Sequence, residues 1–380
     1  MSHTPQRYLF IDLLRFIAVF FMIQGHVFEA LLDHAVRLQS FYYIHDFFHG
    51  FVAPIFLFAS GTAFGVSTFK RWEEHTVIGP RFWKRVGKFL GLLVIGYALH
   101  LPYFSLAKII QTATPAEINS WLQSDALHCI AVTLLCLQIG VLIIKNERRF
   151  VVLCAVGALF VIFFSPIIWS LHLSGTVPMW LVSYLNNENA SIFPLFPWSA
   201  YMLCGVLFGS VFINAKEHHH AVSLMQKNVA LSAGVIVISL LCVMLPIQLY
   251  PAHDFWKTDP AIFFVRLGAV SMAASSIFFA EHSVKIPSRI PVIMGRESLF
   301  IYVVHLMIVY GSVVNPGLKS YFGPTLSVVQ AIGIFLAIFF VMAIVAYAWY
   351  EIKARYATGA VAIRIALSTI FLYEFLTRPW

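Results

Sequence analysis

Charge is what this chain has least of. Only 11% of its 380 residues are Asp, Glu, Lys or Arg, whereas soluble domains carry roughly 25%. Hydrophobic residues make up 60%, and the mean hydropathy is +0.83. The composition therefore excludes an ordinary soluble domain. It predicts an integral membrane protein that is embedded in the lipid bilayer. The net charge of +8 is spread over short loops, so it does not predict nucleic-acid binding.

Cysteine and phosphate-binding loops are scarce as well. The five cysteines contain no CxxC pair, so we expect neither a disulfide framework nor a zinc site, and no metal at all. The sequence also has no Walker motif and no GxGxxG loop, which argues against nucleotide hydrolysis and a Rossmann domain. Any chemistry must then come from side chains within or beside membrane-spanning segments.

Apolar runs long enough to cross a ~30 Å hydrocarbon core follow one another along the whole chain. The eleventh run contains Arg364 and Glu374, so it either spans the membrane or lies at its interface. The pattern predicts an all-α bundle of 10–11 transmembrane helices, forming one domain over 1–380 with a core at 8–315 and C-terminal helices at 325–376. The runs are 8–32, 47–69, 82–103, 126–145, 149–172, 193–214, 228–249, 260–281, 298–315, 325–350 and 358–376.

Basic residues are concentrated in every second loop. They lie between runs two and three, four and five, six and seven, and eight and nine (where Lys285 is one of them), and after run ten. Cytoplasmic loops of membrane proteins carry the excess of Lys and Arg. The alternation therefore predicts that the N-terminus is cytoplasmic.

Four ionisable residues interrupt the first apolar run: Asp12, Arg15, His26 and Glu29. Charges inside a membrane helix cost roughly 2.5–3.5 kcal/mol each on insertion scales and usually face an interior site. The spacing from Arg15 to His26 returns to nearly the same helix face about 16 Å further along. The pattern favours a functional polar face that crosses the bilayer. The alternative is a structural ion pair with a His and a Glu at headgroup level.

Histidine and aspartate recur near the predicted outer surface. Histidine titrates near neutral pH and suits general acid–base or nucleophilic work, so a group at one depth favours a catalytic site. The alternative is a set of interfacial histidines that point in different directions. The group consists of His26, His45, Asp46, His49, His100, Asp125 and His128.

The predicted cytoplasmic side carries a different set of groups. Arg81, Arg85 and Lys88 share one helical face at the start of the third run, with Lys84 beside them. Such residues usually serve only topology, but arginine also offers paired donors that match phosphate. The set is a candidate site for a phosphorylated ligand.

Three further polar residues interrupt later runs. Arg296 begins the ninth run, His305 lies deeper in it, and Arg266 lies inside the eighth. Together with Asp12, Asp125 and His128 they are functional candidates by default, because an ionisable residue in a membrane span is costly.

Several stretches together resemble the membrane acyltransferases. In the first run these are Asp12–Arg15 (DLLR) and the Arg15–His26 spacing. Later stretches follow in the expected order: Ala53–Gly61 (APIFLFASG), Asp125–Ile130 (DALHCI), Phe196–Gly205 (FPWSAYMLCG) and Gly295–His305 (GRESLFIYVVH). The heparan-alpha-glucosaminide N-acetyltransferase-like arm is the nearer resemblance, and the acyltransferase-3 arm is the second.

The resemblance implies transfer of an acyl group, usually acetyl from cytoplasmic acetyl-CoA, to a sugar across the membrane. The acyltransferase-3 arm uses an Arg and a His on the first span, which match Arg15 and His26. The other arm uses a His five residues before a Gly at the entry to the second span, which matches His45 before Gly50. Both candidates therefore stay open as the base or acyl carrier.

The hypothesis from the sequence is a His-dependent acyl-CoA acyltransferase that modifies an external carbohydrate. His26 or His45 would be the base or acyl carrier, Asp46 and His49 its orienting partners, and Arg15 an oxyanion or cofactor ligand. Arg81, Lys84, Arg85, Lys88 and Arg296 would receive the CoA phosphates. We expect a location in a bacterial inner membrane, and a homo-oligomer is compatible with the pattern. The rival is a secondary transporter that uses the buried charges as a substrate or proton path.

Overall fold

A computed structural model describes residues 8–245, 249–283, 289–312 and 315–378. Over this part the chain is built from α-helices, with only isolated bridges between extended residues. The helices are α1 (Leu9–Leu31), α2 (His34–Arg37), α3 (Ser40–His49), α4 (Val52–Phe69), α5 (Trp72–His75), α6 (Pro80–Leu99), α7 (Leu106–Thr112), α8 (Pro115–Trp121), α9 (Ala126–Ile144), α10 (Glu147–Ser170), α11 (Met179–Leu185), α12 (Leu195–Glu217), α13 (Ala221–Val243), α14 (Phe255–Thr258), α15 (Pro260–Ser283), α16 (Ile290–Arg296), α17 (Ser298–Tyr310), α18 (Leu318–Phe322), α19 (Val328–Arg355) and α20 (Ala357–Thr377).

Nine helical segments within the described residues are long and apolar enough to cross a membrane, or ten if α16 and α17 count as one broken span. Apolar helices suit the bilayer because every backbone N–H and C=O is satisfied internally. The predicted all-α polytopic membrane fold is confirmed. The sequence left open whether the eleventh run spans the membrane. This run forms α20, which is also long and apolar enough to cross.

Three predicted spans differ in detail from the structure. The third corresponds to α6, which is not among these nine segments because its first half carries four cationic side chains. The second is longer than predicted, since helix begins at Ser40 and runs through α3 and α4. The ninth, predicted at 298–315, is helical only from Ser298 to Tyr310 as α17, and α16 precedes it at an angle of 83° around Glu297. Lys285, part of the orientation argument, lies outside the described residues.

The chain divides into two compact units. The first, here called the terminal unit, consists of Met1–Ile55, Tyr103–Thr112 and Ile277–Trp380. The second, here called the central unit, consists of Phe56–Pro102 and Ala113–Ser276. The single-domain organisation stays a prediction.

Helix α1 is the core of the terminal unit. Its residues Leu14, Ala18 and Val19 are buried, and Phe20 packs edge-on against Phe335 of α19 at 5.0 Å between ring centroids. On another side α16 approaches so closely that a Cβ on Gly295 would lie 1.8 Å from the backbone oxygen of Asp12. Glycine is therefore required where α16 crosses α1. This crossing holds the α16–α17 bend against the polar face of α1.

Two glycine pairs form the tightest crossing in the central unit. Gly61 and Gly65 on α4 face Gly205 and Gly209 on α12, each pair in a GxxxG spacing. A Cβ on Gly205 would lie 2.2 Å from the backbone oxygen of Phe58. Small residues let membrane helices approach backbone to backbone, and close packing drives their association in lipid. The glycines therefore set the separation between α4 and α12.

Candidate active site

The outer half of α1 carries a chain of three polar side chains in the terminal unit. Nδ1 of His26 lies 3.3 Å from the hydroxyl oxygen of Tyr310. That hydroxyl donates to Oε2 of Glu29 at 3.0 Å, and Oε2 also lies 3.8 Å from Nδ1 of His26. No described residue hydrogen-bonds to Nε2 of His26. The imidazole is thus held at one nitrogen and available at the other.

A second imidazole lies beside the first. His305 on α17 has its ring centroid 5.2 Å from that of His26. Its Nδ1 donates to the carbonyl oxygen of Ile301 at 2.7 Å, so its Nε2 carries a lone pair. This nitrogen is buried and has no hydrogen-bond partner among the residues that the structure describes. A buried unpaired acceptor is costly, and a functional role is one reason to retain it.

His45, the competing candidate, is bound at both ring nitrogens. Its Nε2 lies 3.0 Å from Oε1 of Gln24, and its Nδ1 lies 3.3 Å from Oδ1 of Asp46. The ring is also stacked on Phe28 and Tyr42, at 5.2 and 5.0 Å between centroids. His45 is therefore fixed in place, with an oxygen atom next to each ring nitrogen.

His49 packs directly on α1. A Cβ on Gly25 would lie 1.9 Å from Cε1 of His49, so the absence of a side chain at Gly25 makes room for the imidazole. His49 stacks on His45 at 5.8 Å and 9°. The opposite face of α3 is apolar and exposed, with Ile44 and Phe48, as expected of a helix whose outer side contacts lipid. Helix α3 therefore turns its polar side chains toward α1.

The inner half of α1 holds an ion-pair group rather than isolated charges. Oδ2 of Asp12 accepts from Nε of Arg296 at 2.9 Å, and its Oδ1 lies 4.0 Å from the guanidinium of Arg15. Next to Arg296 in sequence, Glu297 is paired with Lys353 at 2.5 Å. Three cations and two carboxylates meet here. The bend between α16 and α17 brings Arg296 to Asp12.

The basic residues at the start of α6 are divided between two roles. Arg81, Lys84 and Lys88 are exposed, and Arg81 forms an ion pair with Glu74. Arg85 is part-buried and donates to three acceptors within the central unit: Ser67, Thr68 and Gln138. These bonds use three of the five N–H donors of its guanidinium. Arg85 therefore links α6 to α4 and α9, whereas the other three cations lie at the surface.

His75 lies under this Arg85 network, outside the spanning segments. It is buried, and its carbonyl oxygen accepts from Gln138 at 3.3 Å. Burial, and then the neighbouring Arg85 charge, lower the pKa of His75 to about 4. Between about pH 4 and pH 6.5 the imidazole is therefore neutral in the folded chain and protonated in the unfolded chain.

We expect the His75→Gln variant to lose less stability on acidification than the parent. Below about pH 6.5 the unfolded chain gains a proton that the folded chain accepts only near pH 4, so His75 destabilises the fold across that window by about 1–2 kcal/mol at pH 5. Thermal unfolding in detergent between pH 7 and 5 measures the difference. His34→Gln, at an exposed position, should keep the parent's slope. Equal slopes for His75→Gln and the parent would contradict the prediction.

The other outer residues of the predicted histidine group belong to the central unit. The carboxylate of Asp125 bridges two imidazoles, with His100 Nε2 at 3.2 Å and His128 Nδ1 at 2.6 Å. Burial alone would raise the pKa of Asp125, but these hydrogen bonds hold it below its usual value. Asp125 is also the N-cap of α9. Arg266, on α15, donates to the backbone oxygen of Trp256 at 2.7 Å, so both sites have structural partners.

The family described as heparan-alpha-glucosaminide N-acetyltransferase, catalytic, matches residues 7–245, which is more than half of the chain and includes α1 and α3. The chain belongs to this family. No curated protein matches it. Membership confirms the predicted membrane acyltransferase family and supports an acetyltransferase whose class, in general, uses acetyl-CoA as donor. The heparan-alpha-glucosaminide N-acetyltransferase match also places His26 and His45 within the catalytic region, whereas His305 and Tyr310 lie beyond its end.

Sequence reasoning missed Tyr310. A tyrosine at the end of an apolar run resembles an interfacial anchor, and nothing in its local pattern links it to a residue 284 positions earlier. The only signal in the sequence was that Tyr310 follows His305, a functional candidate, by five residues within the same predicted helix. In the described residues no cluster of three His, Cys, Asp or Glu is arranged to hold a metal ion, and the expectation of no metal stays a prediction.

Proposed function

We propose that this protein moves an acetyl group from cytoplasmic acetyl-CoA to an amine or hydroxyl of a carbohydrate on the opposite side of the membrane. The observation that carries the proposal is His26, an imidazole inside the matched catalytic region with one nitrogen bound by Tyr310 and the other free. The basic loops support a cytoplasmic N-terminus, with a bacterial inner membrane as the location. Family membership favours this enzyme over the transporter alternative.

His26 acts as the general base in this proposal. Its Nε2 removes a proton from the acceptor as the acceptor's nitrogen or oxygen attacks the thioester carbonyl carbon. A C–N or C–O bond forms, the C–S bond breaks, and the electron pair leaves on the CoA sulfur. The proton then passes from the imidazolium to the thiolate, which regenerates His26 and releases CoA. The lone pair on His305 accepts a second hydrogen bond from the acceptor.

The cationic groups suit the donor. CoA is anionic, and the exposed side chains of Arg81, Lys84 and Lys88 offer charge for its phosphates. In the terminal unit, Arg15 and Arg296 are further cations, and both lie beside Asp12. A long, narrow pantetheine arm can enter between helices. Asp46 and His49 act in this scheme as positioning residues for His45.

Purified protein in lipid nanodiscs tests the proposal directly. With labelled acetyl-CoA we expect saturable binding and acceptor-dependent release of CoA thiol, with glucosamine and N-acetylglucosamine as separate acceptors to distinguish N- from O-transfer. Stoichiometric CoA release before acceptor is added would indicate an acyl-enzyme intermediate rather than direct transfer. If the protein neither binds acetyl-CoA nor transfers acetyl to either acceptor, the enzyme proposal fails.

The charge assignment has its own test. Replacing Lys84 and Lys88 together by Gln should raise the acetyl-CoA KM about 10-fold or more, because two charge-assisted contacts are lost, while kcat changes little. The double variant Lys108→Gln/Lys257→Gln, at basic positions in loops predicted to be external, is the matched control. An unchanged KM in the Lys84/Lys88 variant would show that these two lysines do not bind acetyl-CoA.

A further inference from the structure

Only one arrangement of the protons lets the Glu29–Tyr310–His26 chain make both of its hydrogen bonds at once. The carboxylate of Glu29 is mostly exposed, with 67% of its side chain accessible, and can only accept. The Tyr310 hydroxyl therefore gives its single proton to Glu29, at 3.0 Å. Its oxygen is then left to accept from His26 at 3.3 Å, so His26 carries its proton on Nδ1. The lone pair of the neutral imidazole is thereby placed on Nε2.

We infer that Tyr310 and Glu29 are positioning residues that fix the reactive tautomer of His26. A carboxylate that acts through a hydrogen bond on the far nitrogen of an imidazole also stabilises the imidazolium that forms when the near nitrogen takes a proton. Here the tyrosine hydroxyl relays that effect across the gap between α17 and α1. The inference rests on the proposed function, since it assigns how His26 is prepared for its role as base.

The neighbouring histidine makes the tautomer consequential. His305 also has its proton on Nδ1, because that nitrogen donates to the carbonyl of Ile301. Two adjacent imidazoles therefore both offer lone pairs, and neither can satisfy the other. The pair selects for a ligand that brings its own N–H or O–H donors, as an amino sugar or a sugar hydroxyl does. With its proton on Nε2 instead, His26 would have no lone pair on that nitrogen to take the acceptor's proton.

Tyr310→Phe tests the relay, because it removes one oxygen and leaves the ring. We expect a 10- to 100-fold lower kcat with little change in KM, the range for losing one hydrogen bond that supports a charged group. The ¹⁵N shifts of labelled histidine, with His26 assigned from the difference spectrum of His26→Gln, should change from pure Nδ1–H to a tautomer mixture. Tyr321→Phe, at an exposed position on α18, should change neither.

Glu29→Gln is the second variant, since its exposed side chain can be replaced without disturbing packing. It should also lower kcat, and Glu29→Asp should restore part of the loss. If Tyr310→Phe and Glu29→Gln both leave the His26 ¹⁵N shifts and kcat unchanged, the inference is wrong. Should His26→Gln itself remain fully active, the proposed role of His26 as base fails instead, while a tautomer change in Tyr310→Phe would still establish the relay.

Discussion

Replacing His26 by Gln is expected to lower kcat for acetyl transfer by about 10²- to 10⁴-fold, the usual contribution of a general base. The amide fills a similar volume but cannot take the acceptor's proton at neutral pH. Acetyl-CoA affinity should change little, because the charged groups proposed to hold the donor lie elsewhere. Steady-state transfer and equilibrium binding in nanodiscs, measured on the same preparation, separate the two quantities.

His45→Gln is the informative comparison. Both nitrogens of His45 are already bound, to Gln24 and Asp46, so we expect a loss of about 10-fold, typical of one orienting hydrogen bond. His34→Gln, exposed on α2, should behave as the parent. The reverse order, with His45→Gln inactive and His26→Gln nearly normal, would transfer the role of base to His45.

Substituting Gly205 by Leu is expected to destabilise the fold by about 3 kcal/mol, at the upper end of the range for overpacking. The new Cβ would lie 2.2 Å from the backbone oxygen of Phe58 and 2.8 Å from the backbone nitrogen of Thr62. Backbone atoms cannot rotate away, so α4 and α12 must separate. Apparent thermal unfolding temperature and monodispersity in detergent measure the effect.

Gly234→Leu provides the matched control, since a Cβ at this glycine of α13 would have no described atom within 4 Å. Leucine has a higher helix propensity than glycine, by up to about 1 kcal/mol, and suits a lipid-facing position. We expect this variant to be as stable as the parent or slightly more so. Equal destabilisation by the two substitutions would refute the view that the α4–α12 crossing is the sensitive feature.

The crossing of α4 and α12 gives two of the sequence motifs a structural explanation. Ala53–Gly61 and Phe196–Gly205 both resemble stretches of the membrane acyltransferases, and both end in a glycine of the α4–α12 contact. A stretch of sequence that resembles a catalytic family can thus reflect the packing of two helices. The same distinction applies to Arg85, which the sequence grouped with phosphate ligands and the structure places among Ser67, Thr68 and Gln138.

Secondary structure and membrane class could be predicted because both depend on local hydropathy. A run of about 20 apolar residues must form a helix in lipid whatever surrounds it, and the predicted runs recur in the structure with shifted ends. The bend at Glu297 could not be predicted in this way. It depends on the ion pair with Lys353 and on the close approach of Gly295 to α1, which are contacts between distant segments.

The structure divides the predicted histidine group. His45 and His49 stack on each other beside α1 in the terminal unit, whereas His100 and His128 share Asp125 in the central unit. Depth along a helix follows from residue number, but the direction of each side chain depends on which helix it faces. The sequence identified His305 only as a functional candidate within an apolar run, and in the structure its neighbour is the His26 ring.

The sequence by itself determined that this is a polytopic all-α membrane protein, that it resembles the acyltransferases, and that α1 carries Asp12, Arg15, His26 and Glu29. Those properties depend on composition and on spacing within single helices. Only the tertiary structure decided which partner each of these side chains has. Asp12 and His26 each bond to a residue 284 positions away, and a contact at that separation exists only after α16 and α17 have packed against α1.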